Sequence, residues 1–172
     1  MQKKSLLYIS ILGLFVLSGL ASLIYQVVWF KQLSYFLGNT TYSQAVVLAT
    51  FMGGLALGAW YWGKKADSFK NSLRLFAYLE ITLAVYCYFY SPIFDLCASL
   101  FTDFVIYFEL PTDSITVLSL KLVVSGATIL FPTFLMGGTL PVLVRYLTTK
   151  SNEVGKNVAV LYFVNSLGAV LG

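Results

Sequence analysis

The sequence predicts an all-α integral membrane protein, a bundle of four complete transmembrane helices with the start of a fifth. Composition is the first observation: 59% of the 172 residues are hydrophobic and 10% are charged, where a soluble domain carries about 25% charged residues. Mean hydropathy is the second, at +0.83. The third is that several apolar runs reach the roughly 18–20 residues that cross a hydrocarbon core. Together these exclude a soluble globular enzyme, a disulfide scaffold and a disordered chain. The net charge of +4 points to membrane topology rather than to nucleic acid. Histidine is absent, which removes imidazole catalysis, haem ligation and most zinc sites. No catalytic, metal-ligand or cofactor-ligand set is visible.

The first apolar run, 6–30, is too long for a signal-peptide core and no small-residue cleavage site follows it, so it reads as a retained helix. Trp29, Phe30, Tyr35 and Phe36 cluster at its far end as interfacial aromatics do. The second run, 41–62, closes on Trp60, Tyr61 and Trp62 before Lys64 and Lys65. The third, 73–90, is interrupted at Ser91-Pro92. The segment 91–110 carries Asp95, Ser99, Thr102, Asp103 and Glu109 on one helical face, which suits an outer amphipathic helix or a protruding extension of the third span. The fourth run, 113–146, exceeds a bilayer's needs and is expected to tilt, protrude or break at Pro132 or between Gly137 and Pro141. The last run, 155–172, stops without a closing charge or aromatic cluster, so the expectation is a fragment of a longer chain or a bundle completed by another subunit. Cys87 and Cys97, placed on one helix, lie about 15 Å apart, too far for a disulfide.

Charge gives the direction. If the spans alternate, Lys3, Lys4, Lys64, Lys65, Lys70, Arg74, Arg145, Lys150 and Lys156 fall on one side, with Lys31 and Lys121 left over. Asp95, Asp103, Glu109 and Asp113 fall on the other. The positive-inside rule then makes the N-terminus cytoplasmic.

Glu80 is the outstanding residue, about 12 Å into the third span. An acid there must be protonated, paired or wetted. It reads either as a proton or substrate-cation site or as a neutral, hydrogen-bonded acid locking helix to helix. Asn165, at similar depth in the last span, is a candidate partner; Gln26 reads as interfacial and Lys121 as snorkelling. Gly54 and Gly58 form a GxxxG pattern that Gly168 and Gly172 repeat, and with Gly137 and Gly138 they are candidate helix-packing positions. A shift of 114 residues superposes Ala45, Val46, Gly54, Leu57 and Gly58 on Ala159, Val160, Gly168, Leu171 and Gly172, an internal repetition of the kind transporters use. In the loop 63–70, Lys64 and Lys65 anchor the cytoplasmic side, while Asp67 either caps the next helix or pairs across to Arg145.

Five segments, in order, carry a resemblance: SGLASLIYQVVWF from Ser18, FMGGLALG from Phe51, the Leu79-Glu80 pair, LMGGTLP from Leu135 and LYFVNSLGAVLG from Leu161. They resemble the membrane part of the spermidine-synthase-like proteins, described as fused major-facilitator/spermidine synthase proteins. The loop 63–70 is similar to the cytoplasmic loop motif of major facilitators, though without its later Gly-Arg-Arg. The resemblance implies a major-facilitator-like bundle in a bacterial inner membrane. In the family it is often followed by a cytosolic aminopropyltransferase domain that uses decarboxylated S-adenosylmethionine. These residues contain no glycine-rich strand-loop-helix and no paired soluble acids, so aminopropyl transfer falls on none of them. The expected function is a membrane module that anchors such a protein or handles polyamines and other cations. The alternatives are a non-catalytic structural subunit of a larger membrane complex and a half-transporter that dimerises. The expected partners are the lipid bilayer and other membrane helices.

Overall fold

The structure, a computed structural model, describes residues 2–38, 41–112, 114–148 and 154–172, with the backbone alone at 2–5, 42 and 43. Six helices follow one another: α1 (Gln2–Leu37), α2 (Thr41–Ser68), α3 (Ser72–Tyr88), α4 (Tyr90–Tyr107), α5 (Ile115–Thr148) and α6 (Val154–Leu171). No strand occurs among the described residues. Four of the helices, α1, α2, α5 and α6, are long and apolar enough to cross a membrane, which is consistent with a multi-pass membrane protein. The side chains of Lys3 and Lys4, and Asp113 and Lys150 altogether, lie outside the description.

Large apolar side chains cover the outside, among them Leu14, Leu17, Val28, Ile81 and Val123. Ser125, Thr128, Thr133 and Thr139 are buried. That distribution suits a bundle in hydrocarbon, where small and polar residues let backbones approach while apolar ones face lipid.

α3 and α4 meet at 55°, and Pro92 explains the elbow. Its missing N–H cannot bond the Tyr88 carbonyl, and its ring crowds that carbonyl. The ladder resumes at once, with the Ile93 N–H donating to the Phe89 carbonyl at 3.0 Å. Cys87 and Cys97 therefore do not share a helix; both are free thiols.

α5 contains two prolines yet runs unbroken from Ile115 to Thr148, so of the tilt, protrusion or break open to so long a run, the break does not occur. Pro132 releases the Thr128 carbonyl, and the Tyr86 hydroxyl of α3 donates to that oxygen at 2.6 Å. A neighbouring helix thus satisfies the group that proline leaves behind, so no break is needed in an apolar medium.

Glycine seams set the packing. A Cβ on Gly54 would meet the Thr133 side chain, one on Gly58 the Phe134 carbonyl, one on Gly137 the Leu55 carbonyl and one on Gly138 the Trp62 ring. These contacts climb both helices together, so α2 and α5 run parallel. Likewise Gly168 sits on the Val16 carbonyl, Gly19 on the Asn165 carbonyl and Gly172 on Leu20, so α1 and α6 run parallel. The short α1–α2 connection makes those two helices antiparallel. The α1–α2 hairpin is therefore inverted with respect to α5–α6, and α3 with α4 must together make one net crossing between the ends of α2 and α5.

Candidate functional site

The site centres on Glu80, where α3 meets α1. Glu80 is half-buried near the middle of α3. Its own helix places Leu79 and Leu83 inward as core residues, and Glu80 follows the edge of that face. The Ser18 hydroxyl of α1 donates to Glu80 Oε1 at 2.7 Å. Ser18 adjoins Gly19, whose missing side chain lets the backbone of α6 at Asn165 press against α1. Asn165 is half-buried and packs against α1 at Gly19, while the partner on the carboxyl is Ser18. Sequence reading passed over Ser18, and its signal was faint: a lone serine preceding a glycine in an apolar run. That pairing suits a close helix–helix approach with a hydroxyl to spare.

The arrangement holds an acid within an apolar bundle by one defined hydrogen bond. An acid so placed can take up a proton, or attract a cation that reaches it, because the surrounding low dielectric makes any charge interaction strong.

Gln26 stands apart from this centre. It is half-buried well before α1 ends at Leu37 and lines a groove of about 490 Å³ with Leu23, Phe30, Thr41, Gln44 and Leu48. Trp29, one of the end-of-span aromatics, faces inward, 3% exposed. Its ring stacks on Tyr25 at 5.6 Å and packs against Tyr90 of α4 at 5.1 Å.

Basic residues gather at one end of the bundle. Lys64 and Lys65 close α2, Arg74 opens α3, Arg145 lies in the last turns of α5 and Lys156 opens α6. Lys64 Nζ sits 4.4 Å from the Trp60 ring centre and Lys65 Nζ 5.6 Å from that of Tyr61. Asp67 accepts from Arg145 Nε at 3.0 Å, while the N-cap of α3 is Asn71, whose side chain accepts from the Arg74 N–H. The pair joins the parallel ends of α2 and α5. With Arg145 and Asp67 side chains 47% and 68% exposed, it is worth about 0–1 kcal/mol. Asp67→Asn is accordingly expected to leave the melting temperature of the detergent-solubilised protein within about a degree or two of wild type, and a collapse of the fold would show a far stronger linkage. Asp95 and Asp103 on α4, and Glu109 in the turn after it, are all exposed.

Among the described residues no cluster of cysteine, aspartate and glutamate is placed to hold a metal ion. Comparison of the chain with protein-family models, with curated proteins and with solved structures found no match.

Proposed function

We propose that the chain is a cation-handling membrane module of the spermidine-synthase-like kind, with a major-facilitator-like arrangement of its helices. The observation that carries the reading is Glu80, an acid inside the bundle held by Ser18 of a different helix. A merely interfacial acid would not need a partner on a neighbouring span. The inverted hairpins support it, because transporters build their sites at the interface of such repeats. The gathering of Lys64, Lys65, Arg74, Arg145 and Lys156 at one end supports a cytoplasmic N-terminus in a bacterial inner membrane by the positive-inside rule.

Uptake of labelled spermidine into proteoliposomes, with a pH-sensitive dye reporting proton flux, tests the reading. Glu80→Gln keeps the shape and can still accept from Ser18, but can carry neither a proton nor a negative charge. The expected result is wild-type expression and melting with uptake and flux reduced to the level of empty vesicles. Uptake equal to wild type in Glu80→Gln, or absent from the wild type itself, removes cation handling.

The second reading is a non-catalytic anchor or structural subunit, in which Glu80 locks α3 to α1. The glycine seams favour it, since they spend much of the chain's small-residue content on tight, fixed crossings. Wild-type vesicles without uptake, together with a lower melting temperature for Ser18→Ala, is the outcome this reading expects.

A further inference from the structure

Glu80 does not stand alone among apolar neighbours. A row of hydroxyls and one thiol leads away from it, toward the end of the bundle opposite the basic residues. On α1, Ser18, Ser22 and Tyr25 follow one helical face, with the Ser22 hydroxyl donating to the Ser18 carbonyl at 2.8 Å. A helical side chain leans toward the N-terminus of its helix. The Tyr25 ring therefore reaches back along α1, and its hydroxyl lies within electrostatic reach of Glu80. The same hydroxyl is hydrogen-bonded to the thiol of Cys87 on α3, two turns beyond Glu80.

The row continues past Cys87. Tyr90 opens α4 and is 3% exposed; its hydroxyl faces Cys87 and Thr128, yet neither completes a hydrogen bond with it. Ser125, 2% exposed and one turn before Thr128 on α5, also has a buried hydroxyl without a partner. Leu122 and Ile129, on either side of Ser125, pack in the cluster that holds Tyr90 and Trp29, so both orphaned hydroxyls belong to one part of the bundle. Buried polar groups without partners are uncommon, and a group that must change partners is one reason to keep them. Thr128, Tyr86 and Cys97 line a groove of about 550 Å³ between α4 and α5. Asp95 and Asp103 are exposed on α4, which sets the mouth of that groove at water rather than in hydrocarbon.

We propose that this row is a proton path to Glu80: protons enter beneath α4 and pass along Thr128, Tyr90, Cys87 and Tyr25 to the carboxylate. Each hydroxyl or thiol accepts a proton from the water side as it releases its own inward. Only O–H and S–H bonds are exchanged, and the last proton settles on the Glu80 oxygen that Ser18 does not occupy. Such groups relay protons but not metal ions or organic cations. The titratable groups facing the row are Tyr25 of α1, Tyr86 and Cys87 of α3, and Tyr90 and Cys97 of α4, while α5 contributes the hydroxyls of Thr128 and Ser125. The path rests on the reading of Glu80 as a cation-handling acid, and it names the cation and the way in.

Deuterium exchange of the Glu80 carboxyl, followed by infrared difference spectroscopy of the full chain in proteoliposomes, tests it, with Glu80→Gln identifying the band. Tyr25→Phe and Cys87→Ala are each expected to slow the exchange about a hundredfold, the low end of what a positioned proton-transfer group contributes. Cys87→Ser is expected to restore the rate, because a hydroxyl then stands where the thiol stood. Tyr78→Phe, at a position 65% exposed on α3, leaves it unchanged. Melting temperature and backbone amide exchange stay at wild type in all four variants, whereas a merely structural role would move them. Wild-type exchange in Tyr25→Phe and Cys87→Ala would overturn the path and leave Glu80 standing as a cation site. Equal slowing in Cys87→Ser and Cys87→Ala would overturn it too, as would a wild-type carboxyl that never carries a proton. Exchange is read without spermidine, so absent uptake alongside the expected pattern removes polyamine handling and supports the path.

Discussion

Gly58→Leu is expected to yield no folded protein, because the Gly58 Cα already rests against the backbone of α5. A Cβ there would lie on the Phe134 carbonyl oxygen and 2.8 Å from the carbonyl carbon. Backbone cannot rotate aside as a flexible side chain can, so α2 and α5 must separate along their length. Even Gly58→Ala is expected to cost about 1–3 kcal/mol, the usual range for overpacking. The same reasoning covers Gly137 against the Leu55 carbonyl and Gly168 against that of Val16. Gly53, the immediate neighbour of Gly54, is the matched control. A Cβ there meets nothing within 4 Å, so Gly53→Ala is expected to be neutral or to stabilise by up to about 1 kcal/mol through helix propensity. Unfolding in a detergent–SDS titration measures all of these. Equal midpoints for Gly53→Ala and Gly58→Ala would show that the seam is looser than its geometry.

Trp29→Ala is expected to produce the second large loss, and to release one element in particular. Trp29 begins a column of rings in which it packs on Tyr90, Tyr90 stacks on Phe94 at 6.0 Å, and Phe36 bridges Phe94 and Phe101 at 5.5 and 5.4 Å. These contacts join α1 to α4. In lipid the water-to-core transfer gain is largely missing, since the separated helices are already in an apolar medium. The packing part remains: a void of about 100 Å³ at about 24 cal/mol per Å³ costs about 2.4 kcal/mol. Each lost ring pair adds about 0.5–1.5 kcal/mol. The expected result is a loss of about 3–5 kcal/mol in the same titration, with amide exchange rising first in α4 while α2 and α5 stay protected. Uniform loss of protection would mean that the column supports the whole bundle rather than α4.

Much of this architecture was legible in the residues. Local hydropathy located α1, α2, α5 and α6, because crossing hydrocarbon demands a continuous apolar run whatever the helix touches. Pro92 marked the elbow, since a missing N–H is a local fact. The glycines at 54, 58, 137, 138 and 168 stood out because a bare Cα in an apolar helix has packing as its main use. Glu80 stood out because hydrocarbon makes any acid conspicuous.

Partnership was what the residues left open, and the tertiary structure decided it. Glu80 is held by Ser18, where depth alone had suggested Asn165. Trp29 points into the bundle, a face that its place at the end of an apolar run did not reveal. α5 stays whole because Tyr86, distant in sequence, reaches the carbonyl that Pro132 frees. Asp67 pairs with Arg145 only because α2 and α5 run parallel. The physical reason is common to all four. In a soluble protein, polarity separates the inward face of a helix from the outward one; in lipid both faces meet apolar surroundings. The sequence by itself determined where the helices are and which positions are exceptional. Which faces meet, and so which exceptional residues become partners, was decided by how the helices pack.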